Sequence, residues 1–364
     1  MIINKRYIQS GFSLIELMVA MLIGVMMLTA AMGLFMSNKR IYKEQDQMGR
    51  LQENARFAIE MLTNDIRMTG YAGCVDDIAL ITNVATNAGT TTNLHNYTNA
   101  VEGINGKAAA STWSPSGSIE AVTSITDGTD AITLRYLEPI PNEIVFTSGS
   151  TLASTTAAIP VTCYTSTGTT ESCAINSHIT ANENMAITDC GTGNIFIATG
   201  STANTITHGA TLNKTYGDSS QISRYVTTRY FIGTAGNTNH TGGAIPALYR
   251  YTSVAGTATT QELIEGVERM EILYGVDTNA DTIPDVYLPA GGTSGGNTLT
   301  STTDWGNVIS VRIMLLVRTI DENFNIDEDT NTYTLLDAAA YDPADEHLRR
   351  RVFSTTIQIR NRST

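Results

Sequence analysis

The chain changes its hydrophobic rhythm twice. From Leu17 to Met36 the residues are almost all apolar, a run long enough to cross a bilayer as one helix. Beyond it the apolar positions thin to a stripe, Leu51, Ala55, Ala58, Leu62 and Ile66, spaced by three and four. That spacing places them along one helix face, with Arg50, Glu53, Glu60 and Asp65 mostly on the other side. No proline occurs before Pro115, and Gly70 and Gly73 offer a stop. The pattern predicts one helix over residues 12 to about 69, half of it membrane-length and half amphipathic. Gly24 and Gly33 soften the apolar half, each by about 1 kcal/mol relative to Ala.

After Cys74 the period becomes two. Ile309, Val311, Ile313, Leu315 and Val317 alternate with polar neighbours, as do Phe353, Thr355, Ile357 and Ile359, and Met270, Ile272 and Tyr274. Such alternation predicts antiparallel strands buried on one face. Shorter β-prone runs lie at 131–137, 194–198, 224–232 and 247–251. Long Thr-, Gly- and Asn-rich stretches around 84–118, 147–160, 199–221 and 290–303 are expected to be surface loops. The fold class expected is α+β: a long N-terminal helix followed by a β-rich, largely antiparallel head with long polar loops.

Charge and cysteine content narrow the class. The 364 residues carry a formal charge of −13, which argues against a nucleic-acid groove as the main business. The late arginines, Arg349, Arg350, Arg351, Arg360 and Arg362, are expected to pair with the acidic stretch Asp321 to Asp329. All four cysteines, Cys74, Cys163, Cys173 and Cys190, follow the apolar run. An even number there suggests two disulfides in an oxidising compartment, with three connectivities open. The favoured one joins Cys163 to Cys173 as a local loop and Cys74 to Cys190 as a tie from helix end to head.

Chemistry concentrates at the N-terminus. Residues 11–16 read Gly-Phe-Ser-Leu-Ile-Glu, preceded by Lys5 and Arg6 and followed at once by the apolar run. A secretory signal is cut after its apolar stretch, whereas here the glycine precedes it. A carboxylate in a membrane helix costs about 2.5–3.5 kcal/mol on insertion scales and is normally paired and functional. This stretch resembles the class III signal of type IV prepilins and pseudopilins. The resemblance implies that prepilin peptidase cuts between Gly11 and Phe12 and N-methylates Phe12. It also implies that Glu16 neutralises the amine of Phe12 on a neighbouring subunit in the filament.

Three further segments extend the likeness: Asp65-Ile-Arg-Met-Thr-Gly-Tyr-Ala-Gly-Cys74, Glu265 to Asp277, and the arginine-flanked ending Arg350 to Arg362. Together they resemble the PilW family of type IV pilus minor pilins, related to the type II secretion pseudopilin GspJ. What this implies is a leader at 1–11, a transmembrane and filament-core helix at 12–70, and a periplasmic head at 71–364. The implied role is to prime pilus assembly with other minor pilins and the major pilin, at or near the tip, where a large adhesin can join. Twitching motility, adhesion and DNA uptake follow by implication. The alternatives are a GspJ-like pseudopilin and a tip subunit for adhesion or DNA capture. No catalytic role is implied.

Other motifs weigh less. Asp277, Asn279, Asp281 and Asp285 fall at positions 1, 3, 5 and 9 of a loop resembling the start of a calcium-binding EF-hand. Thr282, Pro284 and Leu288 depart from that pattern, and an Asx-rich turn is the competing reading. Gly292-Thr-Ser-Gly-Gly296 spells a nucleophile elbow without its strand–turn–helix setting. Gly103 to Lys107 lacks the phosphate-loop spacing. The five histidines, His95, His178, His208, His240 and His347, are scattered and expected at the surface, and Trp113 and Trp305 are expected to anchor packing.

Overall fold

The computed structural model describes residues 11, 13–75, 78–85, 99–106, 125–140, 144–163, 178–254, 257–294, 296–300, 302–324, 326–344 and 346–362. One helix, α1 (Leu14–Met68), runs unbroken past Gly24 and Gly33. It ends where the sequence reading places its stop, with Gly70 and Gly73 at φ 77° and 71°. A side chain is strained in that left-handed region, so glycine there lets the chain turn out of the helix. The Gly70 amide then donates to the Arg135 carbonyl at 2.9 Å, and the Asn361 side chain donates to the Thr69 carbonyl at 3.1 Å.

The buried residues of α1 are Leu51, Ala55, Ala58, Leu62 and Ile66, the stripe read from the sequence. They pack in one core with Leu134, Ile272, Ile313 and Ile357, which come from both sheets. Below residue 37 the large apolar side chains of α1 are exposed, Leu14 at 79% and Leu28 at 71% among them.

Among the described residues the first sheet has eleven strands: β1 (Ile81–Asn83), β2 (Val101–Ile104), β3 (Ala131–Pro139), β4 (Ile144–Phe146), β5 (Ile159–Cys163), β6 (Glu183–Thr188), β7 (Gly193–Ser201), β8 (Thr205–His208), β9 (Gln221–Thr238), β10 (Ala244–Val254) and β11 (Thr257–Glu265). Among the described residues only β1 with β7 pairs in parallel. The trunk is β9, eighteen residues long. It pairs with β6 over 221–224, with β10 over 227–238 and with β3 over 223–230. Since a strand has two edges, β6 and β10 share one of them in succession and β3 takes the other. A second sheet runs β13 (Val286–Leu288), β12 (Val267–Val276), β16 (Val308–Arg318), β17 (Arg350–Gln358), all antiparallel. Between β13 and β16 lie the two-stranded hairpin β14 (Thr293–Ser294) and β15 (Asn297–Thr298) and a one-turn helix, α2 (Thr302–Gly306).

Two sequence expectations, on the polar stretches and on His208, need correction, and that on the elbow-like motif is met. The stretches 84–118 and 199–221, expected as loops, contain β2 and β8, and β7 reaches Ser201. Ser294, in the elbow-like motif, sits in the small hairpin β14–β15, so the letters have no strand–turn–helix behind them. His208, expected at the surface, is half-buried, with Nδ1 2.7 Å from the Ala210 carbonyl and Nε2 2.9 Å from the Ala157 carbonyl. Trp305 is buried and meets the Tyr274 ring edge-on, as expected of an anchor. His95, Trp113 and Lys107 lie outside the described residues.

Candidate processing and assembly site

At the start of α1, Ser13 is the N-cap. Its hydroxyl accepts from the Glu16 amide at 3.3 Å, and the Glu16 carboxylate accepts from the Ser13 amide at 2.9 Å. This reciprocal box satisfies two of the donors a helix start leaves open, and it puts a negative charge at the positive end of the helix. Sequence reasoning had assigned Glu16 an intermolecular partner and missed this local one; Ser three residues before Glu was the available signal. Phe12 lies outside the described residues, but its carbonyl is bonded to the Ser13 nitrogen. An amine created on Phe12 would therefore start one residue from the amide that Glu16 already holds.

Gly11 is exposed, and a Cβ built on it would meet nothing within 4 Å. Its φ lies outside the left-handed region that demands glycine. The fold of this chain gives no reason for glycine at position 11. A reason outside the fold, such as the needs of an enzyme that binds this stretch, remains.

The upper part of α1 is fastened to the head by polar ties as well as packing. Asn54 donates to the Glu265 carbonyl at 3.1 Å and Gln47 to the Asp321 carbonyl at 3.0 Å. Glu44 pairs with Arg349 at 3.2 Å, and Asp65 accepts from the Tyr230 hydroxyl at 2.5 Å. The Cys74–Cys190 disulfide closes the arrangement across 116 residues, the tie expected from the sequence. Cys163 is also disulfide-bonded, and its expected partner Cys173 lies outside the described residues.

The late arginines pair partly as expected. Arg350 is buried and donates to Glu268 at 2.7 Å, to Asp329 at 3.0 Å and to Glu346 at 2.6 Å. Only Asp329 belongs to the stretch 321–329; Glu268 comes from β12 and Glu346 from the segment just before β17. Arg350 thus fastens the 319–349 segment, with its buried Ile326, Leu335 and Leu348, to the second sheet. Burial alone would raise the Asp329 carboxyl, but hydrogen bonds from Tyr333, Asn331 and Arg350 outweigh it and hold it below its ordinary value.

In the Asp277–Asp285 loop the oxygen side chains face inward on the loop itself. Asp277 accepts from the amides of Asn279, Ala280 and Thr282, and Asp281 from that of Ile283. Asp285 accepts from the Thr278 amide and hydroxyl, and Asn279 bridges Asp281 and Asp285. Thr282 takes φ 66°, where an EF-hand carries glycine. Among the described residues no three carboxylate, histidine or cysteine side chains converge to hold a metal ion. The donor set is that of a self-satisfied Asx-rich turn, and nothing in its geometry calls for calcium.

Comparison with known protein families gives two matches. Residues 229–361 match the family described as Type IV Pilus-assembly protein W, a span from mid-β9 through β17 that takes in the whole second sheet. Residues 6–32 match the prokaryotic N-terminal methylation motif, which covers Gly11, Ser13, Glu16 and most of the exposed apolar helix. Comparison with curated proteins and with solved structures gave no match.

Proposed function

We propose, on the match of residues 229–361 to the family described as Type IV Pilus-assembly protein W and of residues 6–32 to the prokaryotic N-terminal methylation motif, that this chain is a minor pilin that primes pilus assembly. Prepilin peptidase cuts between Gly11 and Phe12 and methylates Phe12. The apolar half of α1 then holds the subunit in the inner membrane, with the head in the periplasm. There the chain joins other minor pilins, and the complex seeds polymerisation of the major pilin and travels at or near the tip. Glu16 pairs with the Phe12 amine of a neighbour, and the head selects partners. The role is structural rather than catalytic.

The single observation that carries this reading is the split character of α1. A stretch matching a methylation motif heads a helix whose apolar side chains stay exposed from Leu14 to Met36, while the same helix is buried in its own head from Leu51 on. Exposed apolar surface on that scale needs lipid or other subunits to cover it. The test is surface pilus abundance, counted by electron microscopy, after deletion of the gene and after complementation. Few or no pili, restored on complementation, supports the proposal. Unchanged pili with blocked protein secretion would reassign the chain to a type II secretion pseudopilin.

A further inference from the structure

A cavity of about 390 Å³ opens on the head between β12, the turn at Gly106 and Gly128, and the segment 337–342. Glu271, only 3% exposed, is among the residues that line it. Its Oε1 is buried and accepts no hydrogen bond from the described residues; its ion-pair partner, Arg269, stands 3.9 Å away. Arg269 is engaged elsewhere, donating to the Gly128 carbonyl at 2.6 Å and lying 3.8 Å over the Tyr341 ring. The neighbouring carboxylate, Asp130, shows what satisfaction looks like at the same depth. Its two oxygens accept from the Gly106 and Ile272 amides at 2.9 and 2.7 Å. Asp337 and Asp342 add negative charge at the exposed rim, beside the small side chains of Ala339 and Ala340.

A buried carboxylate oxygen without a hydrogen bond is costly, and one that faces a cavity open to solvent can be relieved from outside. We propose that this cavity receives the cationic side chain, lysine or arginine, of a partner pilin subunit, whose N–H groups bond to Glu271. The inference rests on the reading of the head as the partner-selecting part of a minor pilin. A basic side chain suits the site better than a metal ion, because among the described residues no three carboxylate, histidine or cysteine side chains converge there. A protein partner suits it because the alanine rim lets a second backbone approach closely. Burial, and then the charge of Asp130, push the Glu271 carboxyl up to about 9, with Arg269 opposing and Asp337 adding to the rise. Docking a cation therefore releases a proton from Glu271 and strengthens as pH rises towards that value; among the described residues the other charged or titratable groups lining the cavity are Arg269, Asp337, Asp342 and Tyr341, with Asp130 buried beside Glu271.

The experiment uses the full-length chain in piliated cells, with a photo-cross-linking phenylalanine at Ala339. The expected product is a cross-link to a pilin peptide that carries a lysine or arginine within a few residues of the cross-linked site. Its yield should fall about tenfold or more with Glu271→Gln, the loss typical of breaking a buried charge pair. The same fall is expected when the partner's basic residue is replaced by methionine, a variant that leaves this chain untouched and so decides the matter if Glu271→Gln misfolds. A yield indifferent to both changes, or a cross-linked peptide with no basic residue, overturns the proposal. Pili that still vanish on gene deletion while these variants have no effect would leave the minor-pilin reading standing without the cavity.

Discussion

The two halves of α1 have similar backbones and opposite surroundings. From Leu51 to Ile66 an apolar stripe is buried against both sheets, and the other faces are mostly polar, with Phe57 and Met61 exposed among them. Below Met36 the apolar residues run around the whole helix and none is buried. The first pattern is what a helix needs to pack on its own domain; the second suits a helix surrounded on every side by lipid or by other helices. Polar content follows the same division. In the upper half, side chains tie helix to head, at Glu44, Gln47, Asn54 and Asp65. In the apolar half the one carboxylate, Glu16, is held by its own N-cap. Mutations in the upper half should therefore be felt as stability and those in the lower half as assembly.

The largest stability loss is expected where a buried charge would be stranded. Arg350→Ala leaves Glu268 and Asp329 without their guanidinium and should cost about 3–5 kcal/mol, read as a fall in the head's unfolding temperature. Cleavage at Gly11 should be unaffected, and altered processing in a folded variant would break the division. Leu62→Ala, in the packed stripe, should cost about 2–5 kcal/mol. Leu22→Ala, on the exposed half, should leave unfolding of the head unchanged. Equal losses from the two would mean that the lower half packs on the head after all.

Replacing Cys74 and Cys190 together by serine should cost about 2–4 kcal/mol, seen as a lower unfolding midpoint in denaturant. Acid should act on the Arg350 cluster next. The Asp329 carboxyl is held below its ordinary 3.8, so its contribution is complete above that value and is lost as pH falls through the lower folded value. The unfolding temperature should drop on acidification below about pH 4, and less so in Asp329→Asn.

The sequence disclosed some of these elements and hid others for identifiable reasons. The stripe from Leu51 to Ile66 and the strands β12, β16 and β17 were legible because their apolar residue types recur with a regular period, which in β12 and β16 persists although both faces are largely buried. β6 and β9 bury polar side chains as well as apolar ones, among them Glu183, Asn184, Thr227, Thr228 and Arg229, so no apolar–polar alternation marks their extent. Strand β2, with Gly103 in it, was lost in a Gly- and Asn-rich stretch. Pairings across long separations were not legible either: Arg135 with Glu102 spans 33 residues and Arg350 with Glu268 spans 82. The arginine-rich ending suggested acidic partners in general; only the folded chain brings Glu268 of β12 to Arg350. At the N-terminus, Gly11 and Glu16 were singled out by motif, while the capping role of Ser13 and Glu16 emerged with the helix start in view.

The capping role of Glu16, set beside the intermolecular pairing proposed for it, supplies the most direct test of the account. Glutamine at this position keeps the capping box, since its side-chain oxygen can still accept from the Ser13 amide, but it removes the charge. The measurement is the fraction of the mature Glu16→Gln chain recovered in sheared pili relative to membranes, with head unfolding followed in parallel. The account predicts normal cleavage, an unchanged unfolding temperature and a strong loss from pili. Normal recovery in pili would contradict it, because the carboxylate would then serve only to cap its own helix.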